Sequence, residues 1–197
     1  MRVLHPVHET LQREINPVVY TPDEFHRRIT NGDSIIREIL SRPKLFIMGM
    51  KMSLEDLLKT EQLQPHDPTR EAVQRLLQAA ARNIADARVD KISFDTRFDA
   101  ANKAIMLCAL VALWANRYRI STSQSGNHQT AIQVLPETIG LEQSTVIVLD
   151  ALRKQRNVSD YEGDPISDQA VIECIKQAEQ LYKIVYNWIA TNRFDLT

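Results

Sequence analysis

Glycine is scarce in this sequence, with five residues among 197. Sandwiches and barrels connect many short strands through Gly- and Pro-rich turns, so this scarcity argues against an all-β fold. Cysteine is rarer still: Cys108 and Cys174 both lie inside apolar helical runs and have no metal-site spacing. We therefore predict two small buried hydrophobic side chains in a reducing compartment, with no metal and no cofactor.

The sequence also lacks a strong net charge and a long hydrophobic run. Lys and Arg number 24 and Asp and Glu 25, giving a formal net charge of −1. Bulk attraction to nucleic acid or an anionic membrane is thus absent, and an RNA contact needs a local basic patch. The longest apolar stretch, Ala104 to Ala115, is shorter than the ~20 residues that span a bilayer. Because the first residues carry no signal-peptide pattern either, we expect a cytoplasmic protein without membrane association.

What is present is a helical period over most of the chain. Between about Asp67 and Asn192, apolar residues recur at spacings of three and four, as in amphipathic helices. This pattern predicts a bundle of four to five helices. The predicted elements are a short helix Met52–Thr60 capped by Ser53, a helix capped by Asp67, helices over Phe94–Asn116, His128–Leu135 (stopped by Pro136) and Glu142–Asn157, and a last helix capped by Ser167. Residues 119–127 are predicted to be a loop.

Before Met50 the strand and helix signals alternate. The predicted elements are a strand over Pro17–Tyr20, a helix opened by Thr21 and Pro22 and closed at Asn31 and Gly32, a helix from Asp33 to Leu40, and a buried strand over Lys44–Gly49. The fold class is therefore mainly α, with a small α/β appendage at the N-terminal end. We divide the chain into a partial α/β segment (1–50), a linker with a short helix (51–66) and the helical bundle (67–197).

The stretch that suggests chemistry runs from Arg153 to Tyr161. If the helix continues through it, Arg156 and Asp160 stand four apart on one face, with Arg153 one turn earlier. A guanidinium can hold a phosphate bidentately, and the Asn157 amide and Tyr161 phenol could orient a ribose or a base. The alternative interpretation is structural, since cations near a helix C-terminus favour the helix dipole and an Arg–Asp pair is an ordinary ion pair.

The order of helices from Asp67 to Ile189, with Arg156-Asn157-x-x-Asp160-Tyr161 after the penultimate long helix, resembles the HEPN superfamily. Ser93–Ala101 is similar to the start of that family's second helix, and Gly126–Ile132 precedes a Leu-Pro pair as in the family. The resemblance implies a helical bundle that often dimerises. It implies either a metal-independent ribonuclease of toxin–antitoxin systems or a helical partner of a minimal nucleotidyltransferase.

One part of the family pattern is missing. The ribonuclease members carry an Arg, a polar residue and then a His a few positions later. Arg156 and Asn157 match the first two, but Asp160 and Tyr161 stand where the His belongs. Metal-free RNA cleavage needs one group to take the 2′-hydroxyl proton and another to protonate the leaving oxygen, tasks that suit a His. His128, on a different element, would have to compensate, so the resemblance supports the fold more than the activity.

Residues 16–25, 33–40 and 44–49 look like the C-terminal part of a minimal nucleotidyltransferase domain. That family begins its catalytic centre with a Gly-Ser pair and adds paired acids that hold magnesium and a nucleotide triphosphate; this sequence has neither motif. The segment would then be a remnant of such a domain, or half of one split between two polypeptides. Two strands and two helices do not make a self-sufficient sheet, so we expect a homodimer or a partner chain to complete it.

Three functions remain open. The leading one is a non-catalytic HEPN-type helical module, in a toxin–antitoxin-type system, that binds a nucleotide, RNA or a nucleotidyltransferase partner. The second is a metal-independent endoribonuclease toxin with a variant centre of Arg156, Asn157, Asp160 and Tyr161. The third is a purely structural helical scaffold. The candidate ligand-binding residues are Arg153, Arg156, Asn157, Tyr161 and His128.

Overall fold

The computed structural model describes residues 24, 27, 28, 31, 53–121, 127–162 and 165–196. In the N-terminal half, Glu24, Arg27 and Arg28 are helical, and the Asn31 N–H donates to the Arg27 carbonyl at 3.0 Å. These positions agree with the predicted helix that closes at Asn31 and Gly32. The strands predicted over 17–20 and 44–49 and the helix predicted over 33–40 lie outside the described residues.

The described part of the chain is mainly helical, as predicted. Its elements in chain order are α1 (Leu54–Lys59), β1 (Leu63–Pro65), α2 (Arg70–Ala87), α3 (Phe94–Ala115), β2 (Tyr118–Ile120), α4 (Asn127–Gln133), α5 (Leu135–Ile139), α6 (Gln143–Glu162), α7 (Asp168–Asn192) and a 3-10 turn (Phe194–Leu196). The segment predicted as a linker thus contributes both α1 and β1.

Helix α3 is the centre of the molecule. Of its 22 residues, 12 are buried, because α2 and α7 pack along it and α4, α5 and α6 also contact it. A helix that is apolar nearly all round is expected in such a position. By length and hydropathy α3 could also cross a membrane, but 67% of its apolar window is buried inside the bundle. That burial is the pattern of a core helix within a bundle.

Side-chain caps fix where the helices begin. Ser53, Thr69, Ser93 and Ser167 each accept a hydrogen bond from the backbone N–H three residues later. Such a cap satisfies one of the unpaired N–H groups of the first turn. The predicted caps Ser53 and Ser167 are confirmed. The predicted cap Asp67 is wrong: Thr69 caps α2, and the Asp67 carboxylate instead pairs with Arg117 at 2.9 Å.

Residues 119–127 are not a continuous loop, as the sequence had suggested. Arg119 and Ile120 belong to β2, which pairs antiparallel with β1 in the register Leu63↔Ile120, Gln64↔Arg119 and Pro65↔Tyr118. The prediction failed because a three-residue strand is too short for a clear alternation signal. Its partner also lies more than 50 residues away in the sequence.

Two further boundaries differ from the prediction. Pro136 does not stop a helix, because α4 already ends at Gln133 and Pro136 lies in the first turn of α5. Backbone N–H groups in a first turn have no intrahelical partner, so the missing N–H of proline costs no hydrogen bond there. Helix α6 continues past the predicted end at Asn157 to Glu162. Arg153, Arg156 and Asp160 are therefore part of one continuous helix.

Candidate functional site

The backbone places the predicted polar stretch on the second half of α6. Because α6 runs to Glu162, Arg156 and Asp160 stand four apart on the same face of one helix. The side chains of Asp160 and Tyr161 lie outside the described part of the structure, as does that of His128. Helix α4, which carries His128, contacts α6.

Arg153 and Lys154 share a single carboxylate. Asp150, only 7% exposed, accepts from the Arg153 Nε at 2.9 Å, and the Arg153 Nη2 lies 2.8 Å from the same oxygen. The Lys154 Nζ lies 2.9 Å from the other Asp150 oxygen. Both cations are therefore engaged by a residue one turn earlier on their own helix.

Arg156 reaches a different helix. Its Nε donates to the Asp99 carboxylate on α3 at 2.9 Å, an ion pair between half-exposed side chains. One turn before Asp99, the Asp95 carboxylate accepts the backbone N–H of Ile166 at 3.4 Å. This edge of α3 thus holds both the end of α6 and the start of the segment that leads into α7.

We call Asp99, Asp150, Arg153, Lys154 and Arg156 the α6 cluster. Its three cations face two carboxylates, and Asn157 is exposed beside them. The described side chains of the cluster include no imidazole and no thiol. What they can do is join α6 to α3 through Arg156 and Asp99, and stabilise α6 itself through the pairs of Asp150 with Arg153 and Lys154.

The two cysteines are buried and unpaired with each other, as predicted. Burial raises the pKa of Cys108 to about 12. Burial, followed by the charges of Asp99 and Glu173, raises the pKa of Cys174 to about 12 as well. The Cys174 Sγ accepts from the buried Asn102 amide at 3.3 Å. Because only the thiolate is nucleophilic, neither cysteine supplies a nucleophile near neutral pH.

A second polar surface was missed by the sequence interpretation. It is one face of the β1–β2 pair, which we call the ribbon face, and it carries Gln62, Gln64 and His66 from one side and Arg117, Arg119 and Ser121 from the other. Gln62 and Ser121 are buried at one end of this face, and the other four are half-buried or exposed. The backbone bonds His66 N–H to Arg117 carbonyl (2.9 Å) and Ser121 N–H to Gln62 carbonyl (3.0 Å) extend the ladder at both ends. The opposite face is apolar, and Leu63 packs there with Leu57, Leu113 and Val134.

The signal for the ribbon face was present but short. Residues 62–66 (Gln-Leu-Gln-Pro-His) and 117–121 (Arg-Tyr-Arg-Ile-Ser) both alternate polar and apolar side chains, the period of a half-buried strand. Each run is only five residues long. Without knowing that the two runs pair, neither was sufficient to predict a strand.

Within the described ranges, no group of three or more His, Cys, Asp or Glu side chains is placed to hold a metal ion. Comparisons with protein-family models, with curated proteins and with solved structures found no match to this chain. The resemblances to the HEPN superfamily and to a nucleotidyltransferase segment therefore stay predictions.

Proposed function

We propose that this chain is a non-catalytic helical binding module of the HEPN type. Its ligand would be a nucleotide, RNA or a nucleotidyltransferase partner chain, in a toxin–antitoxin-type system. The observation that supports the non-catalytic part of the proposal is the engagement of Arg153, Lys154 and Arg156 by Asp150 and Asp99. Arg153 and Arg156 were predicted to bind a phosphate, and in the structure each of them has a carboxylate partner.

The chemistry of the α6 cluster supports the same conclusion. A metal-independent ribonuclease needs a base and an acid that exchange protons near neutral pH. The described side chains of the cluster offer carboxylates that are already bound to cations, and both oxygens of Asp150 are engaged. Such groups are suited to fixing the position of a helix rather than to proton transfer.

A specific observation favours a second function, the variant endoribonuclease. Helix α6 continues to Glu162, so Arg156, Asn157, Asp160 and Tyr161 form one helical surface, and α4 with His128 contacts α6. If His128 acts with Arg156, the missing histidine of the family pattern would be replaced from another element.

Incubation with labelled total RNA in the presence of EDTA distinguishes the two functions. The variants are Arg156→Ala and, as a matched control, Arg82→Ala, which removes an exposed arginine from α2. We expect intact RNA with the wild type and with both variants. Cleavage that Arg156→Ala abolishes and Arg82→Ala leaves unchanged would establish the ribonuclease and overturn the proposal.

The predicted homodimer or partner chain can be tested separately. Light scattering of the full chain at micromolar concentration should give the mass of a dimer, because we propose that the N-terminal segment pairs with a second chain. A monodisperse monomer would contradict self-association. If the protein also retained neither RNA nor a nucleotidyltransferase chain, the purely structural scaffold would be the better description.

A further inference from the structure

The arginines near the ribbon face differ in their partners. Arg117 pairs with Asp67 at 2.9 Å, and Arg193 binds both oxygens of Asp195 and donates to the Ala115 carbonyl. Arg119 is exposed, and its hydrogen bond goes to the neutral Oε1 of Gln64 at 3.3 Å. Within the described chain, no carboxylate is paired with Arg119. Its charge is therefore available to an anion at low cost.

Gln64 holds Arg119 in place on the ribbon. While its oxygen accepts from Arg119, its Nε2 donates to the Ser121 hydroxyl at 3.1 Å. The Gln64 side chain thus bonds to both Arg119 and Ser121, two residues apart in the opposite segment. A guanidinium fixed in this way loses less conformational freedom when it binds a ligand than a fully mobile one.

His66 lies diagonally across the ribbon from Arg119. Its ring packs against the Trp114 indole, with ring centres 4.6 Å apart at an angle of 62°. The His66 Nε2 is buried and has no hydrogen-bond partner within the described residues. Burial and the nearby charge of Arg119 lower the pKa of His66, opposed by Asp67. A buried polar atom without a partner is uncommon in proteins and requires an explanation.

The residue that connects α3 to β2 has an unusual backbone conformation. Arg117 has φ of +66°, a left-handed conformation that glycine or asparagine adopts more readily. Arg117 follows the C-cap Asn116 of α3, a position at which a left-handed residue commonly ends a helix, and Glu61 (φ +57°) does the same after the C-cap of α1. Arg117 lies outside β2, and its left-handed backbone separates it from the regular alternation of the strand that carries Arg119.

We propose that the ribbon face binds a phosphate group, with Arg119 as the main contact and Gln64, His66 and Arg117 around it. A guanidinium matches a phosphate with two parallel hydrogen bonds, and an anion placed here would balance the arginine of the ribbon face that has no carboxylate among the described residues. The inference rests on the proposed binding function and deepens it, because it gives that function a phosphate-bearing ligand. It also places the site on the ribbon rather than on α6.

The phosphate could belong to a free nucleotide or to an RNA backbone, and the experiment separates these sources. The probes are inorganic phosphate and AMP, followed by amide chemical shifts of the full chain, and a labelled single-stranded RNA of about eight nucleotides, followed by anisotropy. The variants are Arg119→Ala, Arg119→Lys and the control Arg82→Ala. Both arginines are exposed, so circular dichroism should show that each variant folds.

We expect phosphate to shift the amides of Gln64, His66 and Arg119. Arg119→Ala should weaken binding by about tenfold, the loss of one charge-assisted contact. Arg119→Lys should recover only part of it, because an ammonium lacks the guanidinium fork. Arg82→Ala should change binding by less than about twofold. Comparable affinity for AMP and RNA identifies a nucleotide site, and much tighter RNA binding identifies a backbone site; both support the inference.

Three outcomes would overturn it: no binding of any probe, equal losses in Arg119→Ala and Arg82→Ala, or shifts confined to α6. None of these outcomes tests the whole proposed function, because binding of a partner chain is measured separately by light scattering. Conversely, RNA cleavage that depends on Arg156 would overturn the proposed function, while the amide shifts would still report on the ribbon face.

Discussion

The α6 cluster and the ribbon face both contain arginines, but the two regions differ in how their polar groups are paired. In the α6 cluster, each described cation has a carboxylate within 2.9 Å, and Asp150 serves two of them from a buried position. On the ribbon face, Arg119 has a neutral amide, His66 has a buried nitrogen without a partner among the described residues, and Arg117 has a strained backbone. The cations of the α6 cluster are thus paired within the protein, whereas on the ribbon face Arg119 has no carboxylate and the His66 Nε2 no hydrogen-bond partner among the described residues.

Charged residues that are adjacent in a sequence can therefore serve as ion pairs within the fold. The stretch from Arg153 to Tyr161 is conspicuous because its polar residues are adjacent in the chain. Its cations are nevertheless used to hold α6 on itself and on α3. The ribbon face is inconspicuous in the sequence, since its two halves are separated by about 50 residues, yet it has the less satisfied polar groups.

The strongest way to test the structural role of the α6 cluster is to remove its buried carboxylate. Asp150→Ala should lower the free energy of unfolding by about 3 kcal/mol, because Arg153 would remain half-buried without its counter-charge. Denaturation in urea measures this loss. The matched control is Asp86→Ala, which removes an exposed carboxylate from α2 and should change stability by less than about 0.5 kcal/mol.

A double variant sharpens this result. Asp150→Leu combined with Arg153→Met replaces the ion pair by apolar side chains and should cost less than Asp150→Ala alone, since no buried charge is left uncompensated. If Asp150→Ala costs no more than the Asp86 control, the cluster is not a structural link. The cations of α6 would then again be candidates for ligand binding.

What the sequence predicted well was local. Helix α3 was predicted over Phe94–Asn116 and found over Phe94–Ala115, because its apolar residues and its cap at Ser93 act within a few turns. The caps Ser53 and Ser167 and the burial of both cysteines were likewise determined by neighbouring residues. The mainly helical fold class follows from the same local patterns.

What the sequence did not predict depends on distant pairs. The Asp99–Arg156 ion pair joins residues 57 apart, and the β1–β2 register joins segments of similar separation. Asp67 was predicted as a helix cap because it precedes Pro68, but its carboxylate is bound to Arg117, 50 residues later. Thr69 then provides the cap. Each of these choices is decided by which segments meet in three dimensions.

The strain at Arg117 predicts an effect of smaller size and opposite sign. Arg117→Gly should raise the free energy of unfolding by about 0.5–1 kcal/mol, because glycine adopts a positive φ without a steric penalty. The exposed pair with Asp67 contributes little against this gain. The same substitution at Arg82, inside α2, should lower stability by about 1 kcal/mol. Chemical denaturation of both variants measures the two changes.

A loss of stability in Arg117→Gly would show that the Asp67–Arg117 pair matters more than the backbone strain. Stabilisation together with weaker phosphate binding would instead show that the protein keeps an unfavourable residue at this position for the sake of the ribbon face.

The smallest expected effect is a pH dependence that belongs to the ribbon face. The pKa of His66 is lowered in the folded protein from its ordinary 6.5, first by burial and then by Arg119, with Asp67 acting in the opposite direction. The unfolded chain therefore binds the proton more readily, so the contribution of His66 to stability is complete above pH 6.5 and declines as the pH falls below that value. Urea denaturation between about pH 5 and 8 should show this slope.

Three variants assign that slope to its causes. His66→Gln should flatten it, since glutamine does not titrate. Arg119→Gln should flatten it in part, because one of the charges that lowers the pKa of His66 is removed. Asp67→Asn should steepen it, because the carboxylate that raises the pKa of His66 is lost. If the slope is unchanged in His66→Gln, it comes from another residue, and His66 would not be part of the electrostatic contrast between the ribbon face and the α6 cluster.

If bound phosphate also raises the pKa of His66 in the wild type but not in Arg119→Ala, anion and proton binding are coupled on the ribbon face, as its unbalanced cation implies.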